Sequence, residues 1–336
     1  MLSEKAHRIL NDRGLISIRD QWFEKMEHVF ARTNNPDEIF AVNGIAGEGK
    51  TDMYKHPDIW MFECLEDLAN RADTLKNEKM FKPLCVECCF YGVHYIDKLL
   101  GADVFFQDGQ WYNHYLETPV GSLKTPDWEH DELWQKTVLM TEAFLQSDQK
   151  LVLFGLPVIA SVLNIAVNLY GEEILVEMLG EPELARHDLN IINDLLIKLH
   201  QWFNGVLPRR QLQPVVSWNR TQPPGYGQLC GCTNQLLSKE LYAEFIAPLD
   251  DALLGVYPNG GMIHLCGSHL QHIETFAAMK NLRALQLNDK AASELEGYFK
   301  GLRDDQIIYL NPFDGMTMEQ ALKITGGRRI VIADNI

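Results

Sequence analysis

A histidine and a cysteine two residues apart, His264 and Cys266, close a short apolar run that opens at Gly260-Gly261 and reads Met262-Ile-His-Leu-Cys-Gly. The run has the length and composition of a buried strand, and a helical pattern (Leu270, Ile273, Phe276, Ala277) follows it. Side chains two apart on a strand share a face, so the imidazole and the thiol point the same way at the strand's end. Such a pair suits zinc, which accepts nitrogen and sulfur ligands at roughly 2.0–2.3 Å. A zinc site needs at least three protein ligands, with an open position if it is catalytic. Cys230 and Cys232, on a loop expected from Arg220 to Thr233, are candidates for the third. The plain alternative is a hydrogen-bonded core histidine beside a small buried thiol, with two loop thiols nearby.

The elements that must position these residues follow a regular pattern. Residues 3 to 32 read as one helix, and Asn34-Asn35-Pro36-Asp37 breaks it. From residue 83 onward, short apolar runs alternate with helical periodicity. Strands are expected at 83–90, 103–108, 151–157, 213–219, the His264 run, 282–289, 306–312 and 326–334. Eight strands separated by helices predict a (β/α)8 TIM barrel, an α/β fold, with an N-terminal helical extension over 1–82 and the barrel over 83–336. The pattern ends at Ile336 directly after the eighth strand, so the expectation is either an unusually early end or another element covering that side. In such a barrel the active site lies at the C-terminal ends of the strands. The polar residues expected there are Glu87, Asp108, Asn219, His264 with Cys266, Asp289, Asn311 and Asp334. Together they predict a polar, acidic mouth, although Asp and Asn after a strand also serve as turn and cap residues.

Composition narrows the partners. The 336 residues carry a net charge of −16, which argues against nucleic-acid or anionic-membrane binding, since both need a basic surface. The apolar stretch from Leu151 to Tyr170 is broken by Gly155, Pro157, Ser161, Asn164 and Asn168, so no membrane span is expected. The polar start lacks the pattern of a signal peptide, and seven cysteines without secreted-scaffold spacing read as reduced thiols; a cytoplasmic protein is expected.

Gly44-Ile-Ala-Gly-Glu-Gly49-Lys50-Thr51 satisfies the phosphate-binding pattern GxxxxGK[ST]. Its context speaks against that use. Pro57 stands six residues beyond Thr51, and the polar Asp-Met-Tyr-Lys-His lies between, where a long helix should begin. A Gly-rich surface loop before a helix near Pro57 is the simpler reading.

The strand His264-Leu-Cys-Gly, with its helix and a next strand ending in Asp289, resembles the uroporphyrinogen decarboxylase superfamily. Within it, the motif is similar to that of the corrinoid-linked methyltransferases that use an H-x-C zinc motif. The block Leu236 to Leu249 and the segments Asn168 to Glu173 and Leu179 to Ala185 extend the resemblance to about residues 83 to 336. Two features depart from it. The Arg-Gln-Ala-Gly-Arg motif of true uroporphyrinogen decarboxylases is missing, and no cysteine follows Cys266 to act as the methyltransferases' third ligand. Cys230, Cys232 or Glu87 would have to replace that ligand.

The resemblance implies the same barrel fold, zinc, and methyl transfer between a cobamide on a corrinoid protein and a small thiol. Glu87, Asp108 and Asp289 would orient the acceptor, Asn219, Asn311 and Asp334 would line the substrate site, and a homodimer would be the assembly. The rival expectations are three. One is a metal-free lyase on the same barrel, with Asp108 or Asp289 stabilising a protonated intermediate and His264 donating a proton. Another is a nucleotide-binding protein using Gly44 to Thr51. The third is a non-catalytic zinc- or corrinoid-binding subunit.

Overall fold

The computed structural model describes residues 1–157, 160–213, 218–313 and 315–333. The chain opens with α1 (Glu4–Leu10) and α2 (Arg13–Ala31), and α3 (Pro57–Asn70) follows. Ser3 and Asp12 accept hydrogen bonds from Ala6 N and Leu15 N, which satisfies otherwise unpaired donors of the first two helix starts. These caps split the expected single helix of residues 3 to 32 into two. The apolar stripe of α2 (Trp22, Phe23, Met26, Val29, Phe30) is buried. Trp22 and Phe23 pack on Phe81, just ahead of a barrel strand, and Phe30 packs on Tyr226 and Tyr309. Phe81 and Tyr226 stand just ahead of the strands Leu84–Glu87 and Gly227–Cys230, so α2 packs near their N-terminal ends.

The strands among the described residues are β1 (Ile45–Ala46), β2 (Leu84–Glu87), β3 (Val104–Gln107), β4 (Gln110–Asn113), β5 (Leu153–Gly155), β6 (Leu212–Gln213), β7 (Gly227–Cys230), β8 (Gly261–Leu265), β9 (Leu282–Leu287), β10 (Ile307–Leu310) and β11 (Ile330–Ile332). Two parallel blocks run β1-β2-β5-β6 and β7-β8-β9-β10-β11. They join where Val42 N donates to Ile332 O at 2.9 Å and Ile332 N donates to Phe40 O at 2.9 Å. On the other side Ser161 N donates to Cys230 O at 2.6 Å, and Ala160 bridges Cys230. The fold is a TIM-type α/β barrel with an N-terminal helical extension. Its strands β8, β10 and β11 are buried end to end, as parallel strands covered on both faces must be. No helix of the described residues is long and apolar enough to cross a membrane.

Three strands differ from the expectation. The run expected as a barrel strand at 103–108 is instead β3, paired antiparallel with β4 in a separate hairpin. Asp108 and Gly109 make its two-residue turn with φ of 50° and 82°, the conformation that matches the twist of paired strands. The barrel's first strand is β1, in the segment assigned to the extension, and it pairs with β2. The expected loop of residues 220–233 contains β7, which pairs with β8 in the register Cys230↔His264.

Candidate metal centre

The centre forms at the C-terminal ends of β7 and β8. His264 is the fourth residue of β8 and only 4% exposed; Cys266 follows the strand directly. Gly231 N donates to His264 O at 2.8 Å, so the chain leaving β7 stays in contact with β8 through the turn. Cys232 then begins a 3-10 turn, Cys232–Leu236. Its Sγ lies 3.1 Å from Cys266 Sγ, and His264 Nε2 lies 3.1 Å from the same sulfur. All three ligand atoms fall within 4.8 Å of one another. Tetrahedral zinc with bonds of about 2.0–2.3 Å separates such ligand atoms by about 3.5–3.8 Å, so the two 3.1 Å pairs would open by less than about 1 Å to admit it. Two sulfurs and an imidazole nitrogen are also the donors that zinc prefers.

The surroundings orient each ligand. His264 Nδ1 contacts the Oε1 of Gln286, a buried residue of β9, and Gln286 Nε2 donates in turn to Asn311 Oδ1. An amide oxygen only accepts, so Nδ1 carries the proton and Nε2 keeps its lone pair toward the sulfurs. The Cys232 thiol donates to Cys266, and this hydrogen bond lowers the latter's pKa against the opposing effect of burial. Cys232 is correspondingly raised. The hydrogen bond thus favours Cys266 as the thiolate and Cys232 as the thiol of the pair.

Buried polar groups pin the turn that carries Cys232. Asn234 Nδ2 donates to Asp250 Oδ2 at 3.3 Å, His272 Nε2 lies 2.9 Å from Asn234 O, and Thr233 N donates to Asn164 Oδ1 at 3.1 Å. His269 sits between the carbonyls of Gly267 and Gly231, at 2.8 and 3.2 Å. Burial pushes the Asp250 carboxyl up to about 7, against the hydrogen bonds of Ser161, Asn234 and Tyr242.

Arg220, which the sequence reading did not single out, stands against the centre. Its Nη1 donates to Cys230 Sγ at 3.4 Å and its Nη2 to His264 Nε2 at 3.3 Å. Cys230 thus contacts the guanidinium, while the ligand cluster is completed by Cys232. Glu87, at the end of β2, is 8% exposed, and burial raises its pKa to about 7 despite the charge of Arg220. Its Oε1 has no hydrogen-bond partner among the described residues. A buried orphan of this kind costs about 1–3 kcal/mol.

The other expected residues lie at varied distances from this chemistry. Asn311 follows β10 and serves Gln286. Asn219 belongs to the 3-10 turn Trp218–Arg220, next to Arg220 in the chain. Asp289 opens the helix after β9 on the exposed rim, with φ of 47°. Asp108 occupies the exposed hairpin turn rather than a barrel strand's end, because the Asp-Gly pair folds β3 back on β4. Asp334 lies outside the described residues.

The Gly44–Thr51 loop is filled from within. Lys50 N and Thr51 N both donate to Glu63 Oε2 at 2.7 Å, Thr51 Oγ1 donates to Glu63 Oε1 at 2.8 Å, and Glu48 N donates to Asp67 Oδ2 at 3.1 Å. Carboxylates of α3 thus occupy the donors a phosphate would need. The helix starts only at Pro57, and a Cβ on Gly49 would collide with the Trp60 ring.

No family profile matches the chain, and no curated protein matches it by sequence. Among solved structures, a methyltransferase from Methanosarcina mazei shares the fold, with a TM-score of 0.64 over 92% of this chain and 91% of that one, at 10% identity.

Proposed function

We propose that this protein is a zinc-dependent methyltransferase acting on a small thiol, with a methyl-cobamide on a corrinoid protein as donor. The observation that carries the reading is the convergence of Cys232, His264 and Cys266 at the mouth of a barrel whose fold is shared with a methyltransferase. Zinc bound there would act as a Lewis acid, lowering the pKa of an acceptor thiol so that a thiolate is available at neutral pH. The chain's own residues prepare that chemistry. His264 offers Nε2 because Gln286 holds the proton on Nδ1. The hydrogen bond from Cys232 favours the Cys266 thiolate, and both cysteines would be thiolates as ligands. With three protein ligands, a fourth position stays open for the acceptor. Asp289, on the rim beyond β9, can meet the acceptor's polar end.

The test is metal content by elemental analysis on protein purified without a metal-affinity tag. About one zinc per chain is expected for such a three-ligand site, lost in Cys232→Ser, His264→Ala and Cys266→Ser and retained in Cys230→Ser. Absence of zinc together with no uptake on its addition would overturn the reading. Turnover of a carboxylated substrate that survives chelation would favour the metal-free lyase instead.

A further inference from the structure

Arg220 has two possible roles that exclude each other. Its Nη2 donates to His264 Nε2 at 3.3 Å, and that lone pair is the one His264 would give to a metal. A guanidinium is always charged and only donates, so it cannot share the lone pair with a divalent cation and would also repel it. Two further atoms are left without partners by the arrangement with His264 and Cys230. Arg220 Nε and Glu87 Oε1 are both buried, and neither has a hydrogen-bond partner among the described residues. Neither atom is open to water or to a ligand. One is a donor, the other an acceptor, and the charge of Arg220 already acts on Glu87.

Resting on the zinc reading above, we propose that Arg220 is an exchange residue. It leaves His264 for Glu87 when a metal binds, so that Glu87 is the acceptor that makes metal loading favourable. The swap frees Nε2 and satisfies Glu87 with a charge-assisted hydrogen bond. It also keeps the displaced positive charge neutralised inside the barrel mouth. Arg220 and Glu87 are positioning residues in this scheme, since neither is one of the three ligands.

The experiment is a double-mutant cycle on zinc affinity, read by competition with a chromogenic chelator, for wild type, Arg220→Met, Glu87→Gln and the double variant. Thermal melts of each confirm folding, and the neutral Arg220→Gln stands in should Arg220→Met fail to fold. Removing the competing guanidinium is expected to tighten zinc binding about tenfold, and removing its acceptor to weaken it about tenfold, the scale of effects on metal sites from residues beyond the ligands. In the Arg220→Met background, Glu87→Gln should then change affinity by less than about twofold, because pairs that interact do not add. Equal effects of Glu87→Gln in both backgrounds, or weaker binding in Arg220→Met, would overturn the exchange while leaving the zinc site standing. A wild-type chain that binds no zinc would instead remove the reading on which the exchange rests, and the exchange with it.

Discussion

Gln286 does for the centre what no ligand can do for itself. A histidine that can rotate or change tautomer is a poor ligand, and an outer partner commonly fixes both. Here the amide oxygen holds His264 Nδ1, and the amide nitrogen is held by Asn311. Gln286→Leu should therefore lower zinc affinity about 10- to 100-fold, whereas Gln286→Glu, which keeps an acceptor facing Nδ1, should retain most of it. Chelator competition measures both. Equal affinity in Gln286→Leu and wild type would show that something else orients the ring. Asn311 was expected to line the substrate site from its place after a strand. Its side-chain carbonyl accepts from Gln286, one layer behind the metal ligands.

At the scale of elements, the β7–β8 pair decides which cysteine joins the cluster. The two strands start with Gly227 facing Gly261, and a Cβ on Gly261 would run into the backbone of Gly227. Close approach there sets the register that places Cys230 beside His264 and brings Cys232, two residues on, over Cys266. Gly261→Ala should cost about 1–3 kcal/mol of stability, as overpacking typically does, and should also weaken zinc binding by pushing β7 off β8. A melting curve and a zinc titration on the same variant check the two effects. Lost stability with unchanged affinity would mean that the turn's own hydrogen bonds, and not strand spacing, place Cys232. The hairpin shows how local chemistry overrides pattern. Asp103 to Asp108 has strand periodicity, but the Asp108-Gly109 pair turns it back on itself, and it never reaches the barrel wall.

At the scale of the whole molecule, buried histidines and carboxyls set opposing pH responses. His200 is fully buried beside Tyr257, and desolvation lowers its pKa from 6.5 to about 3. Between those values the unfolded chain binds a proton that the folded chain does not. The stability His200 allows is thus complete above pH 6.5 and is lost as the pH falls toward 3. Asp250 behaves oppositely. Its pKa is raised from 3.8 to about 7, so its contribution is complete below 3.8 and is lost as the pH rises toward 7. Denaturant unfolding across the acid range should show His200→Gln removing a favourable slope of about 1.4 kcal/mol per pH unit. Asp250→Asn should remove a slope of the opposite sign. A pH response unaltered in both variants would show that neither group titrates between the folded and unfolded states. Nothing in a primary sequence marks these two residues, since their shifts come from complete burial.

The sequence by itself determined the strand that carries His264 and Cys266, the alternation that makes an α/β barrel, and the polar residues at several strand ends. These are local properties: runs of apolar side chains, period-two placement, and the residues that follow a strand. It also held enough to set aside the phosphate loop, because Pro57 lies too close to Thr51. The tertiary structure decided the rest. It placed Cys232 rather than Cys230 in the ligand cluster, brought Arg220 and Gln286 against His264, and moved Asp108 to a hairpin outside the barrel. Two cysteines two residues apart differ only in what the neighbouring strand brings to each. An arginine in a loop becomes part of a site only when the chain closes around it. Those relations join residues tens of positions apart, from Arg220 to His264 and from Cys232 to Cys266, and such pairings exist only once the barrel has formed.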